Sequence, residues 1–150
     1  MAARFVSAQL EIESPRPLGS VLEAFSGREV VSFDYRESKR GFSVAFEYTG
    51  AGASTDADAQ IDEFCNMVEH LKEPARRIWE GAYRKTFNLG YEIDTAKSHH
   101  LAGDEQPAGA IECFRSELRP ETVARIARLR ASVLVSIYPA RPPDPEREPA

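Results

Sequence analysis

The run from Ser54 to Leu71 reads S-T-D-A-D-A-Q-I-D-E-F-C-N-M-V-E-H-L. Ile61, Phe64, Val68 and Leu71 recur at spacings of three and four, one apolar stripe at helical period. Asp58, Asp62, Glu63, Asn66, Glu69 and Lys72 fall on the other side. Ser54, Thr55 and Asp56 supply N-cap candidates, and an acidic first turn suits the positive end of the helix dipole. The stretch predicts an amphipathic helix with one wet, acidic face, packed on strands that come before and after it.

Those strands are legible on both sides. Arg4 to Glu13 alternates, with Val6, Ala8, Leu10 and Ile12 pointing one way. Ser14-Pro15-Arg16-Pro17 ends it, and Leu18 to Phe25 returns to helical spacing until Ser26-Gly27. Val31, Phe33 and Tyr35, then Phe42, Val44, Phe46 and Tyr48, make two alternating runs around a polar loop that ends in Gly41, a predicted hairpin. Beyond the acidic helix, Pro74 breaks the chain and a second helical piece follows to Tyr83, with Trp79 on its apolar stripe. Arg84 to Thr95 alternates with Phe87, Leu89, Tyr91 and Ile93 facing in; Ala96 to Gly109 reads as a loop and Ala110 to Phe114 as a short strand. Pro120 to Arg130 is a predicted helix with Val123, Ile126 and Ala127 on its inner face. Ser132 to Tyr138 is β-branched and almost unbroken in apolarity, which predicts an interior strand covered on both faces.

The order is β-α-β-β-α-β-β-α-β. It predicts an α+β fold: a single-domain sandwich with a mainly antiparallel sheet of about six strands, helices on one face, in a duplicated, ferredoxin-like arrangement. The domain runs over residues 1–138. The remainder, 139–150, has five prolines in twelve residues and reads as a disordered tail.

A chain of 150 residues suffices for one domain with a real core. A net charge of -5 argues against nonspecific binding to nucleic acid or anionic lipid, where a basic surface supplies the affinity. No apolar stretch approaches the roughly 18 residues of a membrane span, and no secretory leader pattern opens the chain, so a cytoplasmic location is expected. Cys65 and Cys113 then read as reduced thiols rather than a disulfide framework.

Chemistry-bearing patterns are sparse. Gly50 and Gly52 lack the lysine of a Walker loop. His70, His99 and His100 show no metal-ligand spacing with each other or with the cysteines, so neither metal nor cofactor is expected. Glu92 and Asp94 share a strand face, where paired carboxylates divide acid and base work if burial separates their pKa values; a wet strand face explains them equally. Charge itself is uneven. Asp56 to Glu73 holds six carboxylates against Lys72, whereas Arg115 to Arg130 holds five arginines against Glu117 and Glu121. Such lopsidedness steers a partner of opposite charge, or simply solvates two helix faces.

Two segments go beyond composition. W-E-G-A-Y-R-K-T-F-N-L-G-Y-E-I-D-T, Trp79 to Thr95, and L-R-P-E-T-V-A-R-I-A-R-L-R-A-S-V-L-V-S-I-Y-P, Leu118 to Pro139, resemble parts of an uncharacterised bacterial family, domain of unknown function 4279. Arg119 stands where that family usually has a serine, which costs a good N-cap. The resemblance implies an immunity-type protein that neutralises a toxin partner, since members often accompany polymorphic-toxin systems. It carries over no catalytic residues.

Two functional readings follow. In the first, the chain is a small cytoplasmic binding protein whose acidic face, Asp58, Asp62, Glu63 and Glu69, meets a basic protein partner. In the second it is a small-molecule-binding domain or small enzyme, with a pocket formed by Trp79, Tyr91, Glu92, Asp94 and His99. An open sheet edge would also allow two copies to pair into a homodimer.

Overall fold

The alternating residues near the start of the chain form the central strand of the sheet. A computed structural model describes residues 2–50, 56–94 and 116–139. In it β1 spans Ala2–Ser14, α1 Gly19–Phe25, β2 Val30–Ser38, β3 Gly41–Tyr48, α2 Ala57–Glu69, α3 Ala75–Gly81, β4 Arg84–Asp94, α4 Pro120–Arg128 and β5 Ser132–Pro139. The sheet order is β2-β3-β1-β4-β5. Every junction is antiparallel except the last, where β5 runs parallel to β4. The first four strands thus have the split β-α-β order of a ferredoxin-like fold, and α4 with β5 extends the sheet by one strand. Five strands stand among the described residues where about six were expected. The sixth, Ala110 to Phe114, lies outside them, as does the segment 140–150.

One face of the sheet carries the core. Ala8, Leu10 and Ile12 of β1, Val44 and Phe46 of β3, and Phe87, Leu89 and Tyr91 of β4 meet Val21 and Phe25 of α1, Ile61, Phe64 and Val68 of α2 and Trp79 of α3. Phe64 sits at the centre, with its ring near those of Tyr48 and Phe87; truncating so large a buried ring costs about 3–5 kcal/mol. The acidic helix therefore docks by the stripe read from its sequence. Its register on the sheet is pinned by Gln60, whose side-chain oxygen accepts the Ala8 N–H at 2.9 Å. Cys65 lies fully buried in this layer, and burial pushes its thiol up to about 11, the signature of an inert thiol.

Gly41 closes the β2–β3 hairpin at φ +128°, with the Ser14 carbonyl where a Cβ would stand, so only glycine fits there. Helix α2 stops at Glu69, and Pro74 opens α3 with Trp79 only 5% exposed.

Three expectations are corrected. A bulge between Phe5 and Ser7 reverses the alternation of β1, so Val6 is exposed and Phe5 packs near the Tyr91 ring instead. Strand β5 is an edge strand among the described residues, not an interior one, and its apolar side chains are exposed, Ile137 at 61%. Its apolar run resembles a buried strand because parallel pairing and β-branched residues go together. Finally, α4 is rotated from the predicted face. Val123 is 49% exposed and Ala127 is exposed, whereas Thr122 and Ile126 are buried. The inward positions run Thr122, Arg125, Ile126 and Leu129, a helical stripe with an arginine in it.

Candidate functional site

The arginine on that inner stripe organises the contact between α2 and α4. Arg125 is largely buried at the side chain, and its Nε and Nη2 reach the two carboxylate oxygens of Glu69 at 2.9 Å each. Nη2 also donates to the Asn66 side-chain oxygen at 2.5 Å, and Nη1 to Asp62. A planar guanidinium is the one side chain that can serve three acceptors in this way. The Arg125 hydrogen bonds in turn hold the Glu69 carboxyl below its usual value, ahead of an opposing burial effect.

A second tie joins the starts of the two helices. Asp58 is 5% exposed, and its carboxylate accepts the Arg119 N–H at 2.8 Å and the Arg119 Nε at 2.7 Å. Burial alone would raise the Asp58 carboxyl, but the Arg119 N–H, the Thr122 hydroxyl and the Arg119 guanidinium with its charge together outweigh it, and the net shift is downward. Arg119 is the N-cap residue of α4 and makes no side-chain cap of its own. Asp58, 61 residues earlier in the chain, accepts the N–H of the N-cap residue itself, the group that the N3 glutamate of a capping box would serve locally.

The four carboxylates read as a partner surface therefore divide. Asp58, Asp62 and Glu69 pair with arginines of α4, so the expectation that the whole acidic face is wet fails at Asp58, which is buried under Arg119. Glu63 is exposed and makes no ion pair among the described residues. It lines a cleft of about 520 Å³ with Tyr48, Asp56, Asp58, Gln60, Asp62 and Arg119. At its edge the Tyr48 hydroxyl donates to Glu29 at 2.8 Å, which raises the phenol's pKa.

The predicted ligand pocket is not assembled from the residues the structure describes. Tyr91 faces the core and donates from its hydroxyl to Ser116 Oγ at 2.7 Å. Glu92, its neighbour in β4, turns to the opposite face and pairs with Arg4 at 2.5 Å. Trp79 lies at the other end of β4, beside Lys85, six residues or roughly 20 Å from Tyr91 at strand rise. The Asp94 side chain and His99 lie outside the described residues.

Trp79 does border a cavity, however. A space of about 490 Å³ is lined by Val68, Glu69, Arg76, Trp79, Glu80, Lys85, Arg128, Leu129 and Arg130. Lys85 occupies a core-facing position at the start of β4 and is 9% exposed, with its Nζ 5.4 Å from the Trp79 ring centroid. Burial depresses its pKa, and the nearby Arg130 guanidinium depresses it further against a smaller opposing effect of Glu80. Arg130 sits at φ +54°, just past α4, where its N–H bonds to Ala127 O and the next N–H to Ile126 O. That is a Schellman ending whose left-handed residue is normally glycine; an arginine there costs about 1 kcal/mol or more. Sequence patterning held both signals: a lysine in phase with Phe87 and Leu89, and an arginine where a helix-stop glycine belongs.

Among the described residues no group of three or more His, Cys, Asp or Glu is arranged to hold a metal ion, and no helix is long and apolar enough to cross a membrane. No family model, curated protein or solved structure matches the chain.

Proposed function

We propose that the protein is a small binding protein that receives a basic side chain of a protein partner at the start of α2, the immunity-type role that the resemblance to domain of unknown function 4279 implies. The cleft lined by Tyr48, Asp56, Asp62 and Glu63 carries this reading, because the chain's own Arg119 already seats a guanidinium on Asp58 at its wall. The complement of such a cleft is a lysine or arginine presented by another chain. Glu63, whose charge no arginine of the chain takes up among the described residues, is the contact residue for that partner.

The test is capture of the partner by the tagged protein from its native cell extract, at low and high salt, with the wild type and Glu63→Lys side by side. A basic partner that elutes with salt and is lost on charge reversal is the expected result. A partner held equally by both proteins places the interface elsewhere and sinks the proposal.

The cavity beside Trp79 favours a second reading, a domain that binds a small ligand. Its volume of about 490 Å³ falls within the range of small-molecule sites, and its four cations, Arg76, Lys85, Arg128 and Arg130, outnumber the carboxylates Glu69 and Glu80.

A further inference from the structure

The cations around Trp79 include Lys85, the one buried lysine or arginine among the described residues. Arg76 is paired with Glu80 at 3.3 Å, and Glu69 is committed to Arg125. Lys85, Arg128 and Arg130 form no ion pair among the described residues. Lys85 is the unusual member, because a lysine this buried normally has a carboxylate or carbonyl to receive its ammonium. Here its Nζ lies 5.4 Å from the Trp79 ring centroid, and Glu80, the carboxylate that offsets its charge, is paired with Arg76 rather than with Lys85. Arg130 compounds the problem, since it brings a like charge toward Lys85 and holds a left-handed backbone conformation to do so. A strained residue that worsens the local electrostatics has no account in stability, and strain of this kind collects at binding sites.

We propose that the cavity between α3, the start of β4 and the end of α4 is a binding site for a small phosphate-bearing anion, held by Lys85 and Arg130 with Arg128 at the rim. An anion in the cavity removes the repulsion between Lys85 and Arg130 and supplies the missing acceptor. Arg130 and Arg128 offer forked donors suited to phosphate oxygens, and Lys85 a point charge from the buried side. Trp79 itself is covered, with the Lys85 Nζ over its ring, so it serves as the floor under the lysine rather than as a stacking platform. Val68 and Leu129 form the apolar wall that an organic phosphomonoester would touch and free phosphate would not. The site goes beyond the protein-partner proposal and does not depend on it: Glu63 and Lys85 line different cavities.

The experiment is an NMR titration of the intact chain with inorganic phosphate and, separately, with phenyl phosphate, at constant ionic strength set by chloride. The readouts are the Trp79 indole N–H and the Lys85 and Arg130 backbone amides. Saturable shifts at these three positions are expected with at least one of the anions, and a tighter response to phenyl phosphate identifies an organic phosphomonoester as the natural class. Lys85→Met, which keeps an apolar chain of similar shape, should weaken binding roughly tenfold or more. Arg130→Gly should weaken it several-fold while raising the melting temperature, a combination that a purely structural arginine does not produce. Shifts reproduced by chloride alone, or affinity unchanged in Lys85→Met, overturn the proposal.

Discussion

Two clusters of charge built from the same residue types behave in opposite ways. Along the α2–α4 seam every arginine that points inward finds a carboxylate: Arg125 meets Glu69 and Asp62, and Arg119 meets Asp58. Around Trp79 the cations Lys85, Arg128 and Arg130 make no ion pair among the described residues, because Glu69 and Glu80 in the same cavity are taken by Arg125 and Arg76. A seam that satisfies itself is cement between helices. A pocket that leaves a buried lysine without an ion pair is the place where we propose an anion binds. Charge runs in a sequence thus carry two meanings, and the partner within the fold decides which applies.

The sharpest way to break the comparison is to remove one cation from each cluster. Arg125→Met strands Asp62, Glu69 and Asn66, and should lower stability by about 2 kcal/mol after allowance for partial exposure of the carboxylates. In a chain of this size that is a melting temperature lower by about 4–8 °C. Asp58→Ala removes the acceptor of the Arg119 N–H and should cost about 1–2 kcal/mol in a urea titration.

Lys85→Met should act with the opposite sign, raising stability by about 1 kcal/mol, because it replaces an unpaired buried charge with an apolar chain of similar shape. If it destabilises as Arg125→Met does, the two clusters are alike and the contrast fails. Acid sharpens the seam further. The Asp58 and Glu69 carboxyls titrate below their unfolded values of 3.8 and 4.5, so near those values the unfolded chain binds more protons than the folded one. Their contribution is complete above the unfolded values and is lost as pH falls through the lowered folded ones. Melting temperature followed from pH 6 downward should drop first below about 4.5, and less steeply in Asp58→Ala. The smallest effect belongs to Glu63→Lys, whose stability should stay within about 0.5 kcal/mol of wild type; a larger loss would place Glu63 in the seam rather than at an open cleft.

Local pattern made the elements legible. The Ile61, Phe64, Val68 stripe docks α2 as its spacing requires, and the alternation of Phe87, Leu89 and Tyr91 puts β4 on the core. The β-α-β-β-α-β order led to the ferredoxin-like sheet. What pattern did not carry is which element faces which. The acidic run at Asp56 to Glu73 and the basic run at Arg115 to Arg130 read as faces turned to a partner or to solvent, yet α2 and α4 turn several of those charges on each other. A helix of alternating arginine and apolar residues has several plausible inner faces, and only the position of Asp62 and Glu69 selects the one that includes Arg125. Strand β5 was misread for a related reason: apolarity reports affinity for a covered environment, not the presence of one. The pocket expected from Trp79, Tyr91, Glu92, Asp94 and His99 does not form among the described residues, because Trp79 packs beside Lys85 at one end of β4, Tyr91 lies toward the other, and Glu92 alternates to the opposite face.

The bulge at Val6 bears on how the chain comes off the ribosome. Strand β1 pairs with β3 on one side and with β4 on the other, and the β4 partners run from Arg84 to Asp94. Once Tyr48 has emerged, one edge of β1 can close, but the other waits for about forty more residues, a few seconds of synthesis. During that interval the bare edge is a template for strands of neighbouring nascent chains. A regular edge of thirteen residues would be a long one. In the folded sheet the extra residue at Val6 breaks the ladder on this side, so a foreign strand has to reproduce the same irregularity, as β4 does, to pair along the whole edge.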